Sequence, residues 1–177
     1  MTARKAAASM LLFVLPALLI VAGSRDLLPD LVASWFGPRG EPREWMAREA
    51  YLGMQLFLLV SLPGLLAVLT LVVPRRAPGV LRPEFRAYWL VPSRQDATLA
   101  AMARAGVHLS GLVVGALLLL ELSVVLGNRS DPPHGQAVLF WASVAACLSV
   151  AVEIVLIARR FRVPGGVPRR PESGGAS

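Results

Sequence analysis

With 177 residues, 55 % of them hydrophobic and 16 % charged, the chain has too little charge and too much apolar sequence for a water-soluble domain of its size. Its net charge of +7 would suggest nucleic acid in a soluble protein. Here the basic residues flank long apolar runs, where they signal topology and attraction to anionic lipid headgroups, so no nucleic-acid partner is expected.

Four stretches, at 6–23, 51–73, 106–127 and 137–158, are each long and apolar enough for a helix across a bilayer. About 20 residues at about 1.5 Å each cover a hydrocarbon core of about 30 Å. Their continuity excludes the alternating strands of a barrel. The expected fold is therefore all-α, a four-helix membrane bundle over residues 1–162. The first span follows Arg4 and Lys5 and ends in Ala22-Gly23-Ser24, which also resembles a signal peptide. Its apolar core is long for one and its cleavage signal weak, so a retained span is expected. Pro16 and Pro63 lie mid-span and predict kinks in the first and second helices.

The loop at 24–50 is too long for a turn, dense in Pro and Gly, and carries Trp35, Phe36 and Trp45, which suit a membrane interface. It is expected to fold against the outer surface. The second loop, 74–105, starts without a regular period. A Ser93-x-x-Asp96 capping spacing then predicts a short helix at 94–105 leading into the third span, with Phe85, Tyr88 and Trp89 at the interface. From residue 163 to 177 the composition is that of a disordered tail.

Basic residues fix the expected orientation. The N-terminus, second loop and tail hold 13 Lys and Arg, against 5 in the first and third loops, so both termini are expected in the cytoplasm. Lys5 is the only lysine, a composition typical of high-GC bacterial genomes, and the expected location is a bacterial cytoplasmic membrane.

Three ionisable residues lie within the spans, where they are costly and are candidate sites: His108, Glu121 and Glu153. The third and fourth spans run antiparallel about residue 132, which brings His108 to the level of Glu153 as a pair near the cytoplasmic face. Glu121 falls at the level of Ser143, where a protonated carboxyl donating an interhelical hydrogen bond is expected. Gly111 and Gly115 form a small-residue surface expected to pack on Ala142, Ala145, Ala146, Ser149 and Glu153 of the fourth span.

No other set of residues has the spacing of a metal, phosphate or nucleophile site, so neither cofactor nor enzymatic activity is expected. Asp131-Pro-Pro-His134 is expected to be a tight turn. Asn128-Arg129-Ser130 matches a glycosylation triplet but lies against the membrane. Cys147, the single cysteine, lies within a span and allows no internal disulfide.

Two segments carry a family resemblance. LPDLVASWFGPRGEPREWMAR, through Leu28, Pro29, Asp30, Phe36, Gly40, Pro42, Trp45 and Arg48, is similar to the signature of bacterial domain of unknown function 1648. YWLVPSR, through Tyr88, Trp89, Leu90, Pro92 and Arg94, resembles that family's segment ahead of its third span. The chain departs from the pattern at Trp35, where the family has histidine, and at Arg43-Glu44. The resemblance implies a multi-pass membrane protein, related to immunity and signalling proteins for a secreted sporulation-associated toxin.

Two functions from different classes follow. One is a non-enzymatic envelope-sensing, immunity or accessory protein that recognises a partner through its outer loop, alone, as a homo-oligomer or with a membrane partner. The other is a small transporter or channel subunit with Glu121 as a proton or cation site, which would require oligomerisation.

Overall fold

The computed structural model describes residues 1–163; most of the tail expected to be disordered, residues 164–177, lies outside the described residues. Its elements in chain order are α1 (Ala3–Gly23), β1 (Leu31–Phe36), β2 (Pro42–Ala47), α2 (Arg48–Ala67), the single turn α3 (Val73–Arg76), α4 (Pro83–Trp89), α5 (Pro92–Gly127) and α6 (Ala137–Arg160). A 3₁₀ turn at Ser24–Leu27 extends α1, and a π-helical turn at Val68–Val72 joins α2 to α3 as one rod. Four helical rods are long and apolar enough to cross a membrane: Ala3–Leu27, Arg48–Arg76, Pro92–Gly127 and Ala137–Arg160.

The chain is not all-α. The first loop folds as an antiparallel hairpin, with Leu31 opposite Ala47, Val32 opposite Met46 and Phe36 opposite Pro42. Ser34 and Arg43 bulge out of the ladder, and the bulges bend the hairpin over the bundle. Val32, Ala33 and Phe36 turn inward while Leu31 and Trp35 stay exposed. At its tip Gly40 takes φ +89°, which favours glycine, and its carbonyl accepts from Gly135 N at 2.8 Å.

α1, α2 and α5 form the core. α1 buries Ala6, Met10, Val14, Ala17 and Val21, a single face at helical spacing, against the other two. Their outward faces keep Leu12 and Leu19 of α1 more than 70 % exposed, the arrangement a hydrocarbon solvent requires. Between apolar faces in lipid, association rests on close packing and interhelical hydrogen bonds. Away from the hairpin, α5 comes close to the second rod at Gly106, where an added Cβ would collide with Thr70 of the π turn. Pro63 lies within α2 four residues before its end, and Thr70 Oγ1 caps the Leu66 carbonyl at 2.7 Å.

Two local expectations are corrected. The capping box at Ser93 and Asp96 does not form: Pro92 opens α5 at its first turn, no side chain caps it, and the segment 94–105 is the first part of one continuous 36-residue helix. At about 1.5 Å per residue that helix is about 54 Å long, well beyond a bilayer core, and its first turns lie beside the start of α1 and Arg75, with Thr98 and Ala103 buried. The second loop is also more ordered than its sequence suggests, since Pro83 starts the short helix α4.

α6 sits apart. It packs on α5, and Leu139, Ser143, Ala146, Val150, Glu153 and Ile157, alternately four and three residues apart, are partly or fully covered. Ser143 is its one buried residue. The seam expected between the glycines and the fourth span is absent: Gly115 has open space around it, Gly111 faces Phe13 of α1, and Ala145 and Ser149 are exposed.

Candidate functional site

Glu121 is met by three side chains from the first two rods. It lies six residues before the end of α5, about 9 Å below the hairpin end, and is 2 % exposed. The Tyr51 hydroxyl donates to its Oε2 at 2.7 Å, and Gln55 Nε2 approaches the same oxygen at 3.3 Å and the Leu117 carbonyl at 3.4 Å. Ser24 Oγ lies 2.5 Å from Glu121 Oε1 and 2.8 Å from the Val21 carbonyl. One carboxyl thus ties α1, α2 and α5 together.

The proton arithmetic of this node closes in both charge states. An ionised carboxylate accepts from Ser24, Tyr51 and Gln55. A protonated one donates to Ser24 Oγ, and the serine hydroxyl turns to Val21 O. Either way no polar group is stranded, as a low-dielectric site demands. The expected neighbour of Glu121 was Ser143, and this is corrected. Ser143 Oγ donates to its own helix at Leu139 O, 2.8 Å away, and Glu121 turns toward α1 and α2. Residue-number register relates only α5 and α6 and cannot see these partners. Tyr51 and Gln55, one turn apart at the start of a span whose only other polar side chains are Ser61 and Thr70, were the available signal.

Besides the Gly135–Gly40 hydrogen bond at its tip, the hairpin is held at three points. Asn128, just past α5, accepts from Ala33 N at 2.9 Å, donates to Ala33 O at 3.0 Å and donates to Val124 O at 2.8 Å. It behaves as a one-residue strand beside β1, so the Asn128-Arg129-Ser130 triplet is occupied in the fold. Phe36 is 5 % exposed and sits where Cβ atoms at Gly127 or Gly135 would stand. Arg48 closes the base: its guanidinium donates to Leu28 O at 3.0 Å and pairs with Asp30 at 2.8 Å, and its amide donates to Asp30 O at 2.9 Å. The first motif is therefore a structural clasp, with Leu28, Asp30 and Arg48 at its root and Phe36 and Gly40 at its tip. Trp35 and Trp45 remain about half exposed. In the hairpin turn, hydrogen bonds from Arg43 hold the Glu41 carboxyl below its ordinary pKa.

The second motif closes the opposite end. Trp89 Nε1 donates to Phe161 O at 3.1 Å, where α6 ends, and its ring meets Phe161 edge-on at 5.8 Å. The Arg94 guanidinium stacks 4.4 Å over the Tyr88 ring. Leu90 and Pro92 make the turn from α4 into α5.

His108 Nδ1 lies 3.1 Å from Glu153 Oε1, with His108 largely exposed and Glu153 partly covered. The pair bridges α5 and α6 at the surface. Ser130 Oγ accepts from His134 N at 2.8 Å, which closes the loop around Asp131 as a turn. Among the described residues no group of three His, Cys, Asp or Glu gathers at metal-binding distance.

Beneath the hairpin an apolar cleft of about 550 Å³ opens between α2 and α6, with α5 as its back wall. Trp35, edge-to-face on Phe140 at 6.2 Å, and Phe36 form its roof. Tyr51 and Gln55 reach its wall from behind, so the cleft and the Glu121 node share two residues. Sequence reasoning missed this cleft because it arises from the gap between non-consecutive helices. Compared with known proteins, the chain matches no family model, no curated protein and no solved structure.

Proposed function

We propose that this is a non-enzymatic, multi-pass protein of a bacterial cytoplasmic membrane, with both termini cytoplasmic. Its hairpin recognises a partner at the extracytoplasmic face, in an envelope-sensing, immunity or accessory role. The observation that carries this reading is the hairpin's seating through Asn128 and Arg48, which presents Trp35 and Trp45 half exposed. Exposed aromatic anchors held at low entropy cost are what recognition surfaces use. The likeness to domain of unknown function 1648 supports it through Leu28, Asp30 and Arg48, which meet at the hairpin's base. Orientation rests on the excess of arginine in the second loop and tail, whose inner aromatic cluster suits anionic headgroups.

Transport through Glu121 takes second place, because intramolecular donors already occupy both carboxyl oxygens. The test is site-specific photocrosslinking in cells from Arg39 and Glu44, both exposed on the hairpin. A discrete partner that crosslinks at both, and is lost in Trp45→Ser at equal protein level, supports recognition. No crosslink at either position removes it.

A further inference from the structure

The cleft under the hairpin is shaped for one kind of occupant. We infer that it is a binding site for a single acyl chain of a membrane lipid, entering sideways between α2 and α6.

Three observations carry this. First, the cleft is of ligand size: its volume of about 550 Å³ falls within the range of about 300–1,000 Å³ common for small-molecule sites. Second, its walls carry no charge. Met54 and Leu58 line one side, Val144 and Leu148 the other and Leu120 the back, while the polar atoms at the wall belong to uncharged groups, those of Ser34, Ser123, Ser143, Tyr51 and Gln55. Tyr51 and Gln55 already spend hydrogen bonds on Glu121, so the site offers an apolar bed and little for a headgroup to grip. Third, the cleft is short and closed at one end. It runs from Tyr51 to Leu58 along α2 and from Phe140 to Leu148 along α6, about 11 Å, and stops under Trp35 and Phe36. A transmembrane helix from a second chain would need a groove through the full span, and the roof blocks it. A flexible hydrocarbon chain lying in the bilayer needs only the side opening.

The chain would touch Tyr51 and Gln55 on one side and Trp35 above. Lipid occupancy would therefore be felt both at the node joining α1, α2 and α5 and at the recognition hairpin. The inference depends on lipid surrounding the helices, not on the hairpin having a partner, so either can fail alone.

The experiment uses the full chain in vesicles of phosphatidylethanolamine and phosphatidylglycerol, with a trace of phosphatidylglycerol bearing a diazirine in one acyl chain. Crosslinked residues are mapped by peptide mass spectrometry. Labelling is expected to be enriched several-fold at Met54, Leu58, Val144 and Leu148 over Leu12 and Leu19, which are more exposed on the outer face of α1. Cys147→Trp, at an exposed position lining the cleft, is expected to abolish the enrichment while labelling at Leu19 stays unchanged, which also reports that the variant is folded. Should Cys147→Trp not fold, Leu148→Trp, at another exposed position of the same wall, serves as the filling variant. Uniform labelling on all lipid-facing positions, enrichment that survives filling of the cleft, or labelling that spares the cleft residues, as a second copy of the chain seated there would produce, would each overturn the inference.

Discussion

The Tyr51 hydroxyl and Glu121 Oε2 meet at 2.7 Å across 70 residues of sequence, joining the start of the second span to the end of the third. Ser24 completes the tie from the first span. Interhelical hydrogen bonds in membranes are worth about 0.6 kcal/mol on average and about 1.7 at most. Tyr51→Phe should therefore cost about 1 kcal/mol. Glu121→Ala strands the Tyr51 hydroxyl, while Ser24 and Gln55 keep the Val21 and Leu117 carbonyls, and should cost about 2–3 kcal/mol. Glu121→Gln should stay within about 1 kcal/mol, because an amide still accepts from Tyr51 and donates to Ser24. Unfolding in mixed detergent micelles orders the three, and a Gln variant as weak as the Ala variant would contradict the assignment.

Removing the first span's contribution should expose the same node. Ser24→Ala deletes one partner of Glu121 and is expected to lower stability by about 1 kcal/mol, with no change in the hairpin. A protein that matures by cleavage after residue 24 would instead lack this helix. N-terminal sequencing of the purified chain separates the two, and recovery of α1 residues is the expected result.

At the hairpin, Asn128→Ala leaves the buried Ala33 N–H and C=O without partners, a cost of about 1–3 kcal/mol confined to β1. Hydrogen exchange at residues 31–36 should speed up while α5 stays protected. Arg48→Lys should loosen the base as well, since one ammonium cannot span Leu28 O and Asp30 as the planar guanidinium does. Unchanged exchange in both variants would show that the hairpin is held by other means.

The Glu41 carboxyl titrates below its ordinary value because Arg43 donates to it. A carboxyl whose folded pKa is depressed stabilises the fold above its unfolded pKa, and the contribution is lost as pH falls through the folded value. Arg43→Ala should move the Glu41 titration upward, toward the ordinary range, in NMR titration of the protein in micelles. An unmoved titration would refute the contact.

Span positions were legible because an uninterrupted apolar run has one reading in a bilayer, and the four rods fall where the runs do. The hairpin was not. In LVASWF and PREWMA the strand alternation is broken by bulges at Ser34 and Arg43, and Pro42 sits where a strand is least expected. The His108–Glu153 approach could be read from antiparallel register, since consecutive spans share depth. The partners of Glu121 could not, because Tyr51 and Ser24 belong to helices that only the packed bundle brings near. The small-residue argument for Gly111 and Gly115 failed for a related reason: spacing marks a face but not the helix it meets. The close approach is instead at Gly106, where Gly106→Ala should destabilise by about 1–3 kcal/mol and Thr70→Ala should recover part of the loss.

The most direct test of the account asks which side of the membrane each end of the bundle occupies. In a Cys147→Ser background, Arg39→Cys at the hairpin turn and Arg82→Cys before α4 are labelled in whole cells with a membrane-impermeant thiol reagent. Arg39→Cys is predicted to react in intact cells and Arg82→Cys only after permeabilisation. The reverse pattern, or labelling of both in intact cells, would contradict it.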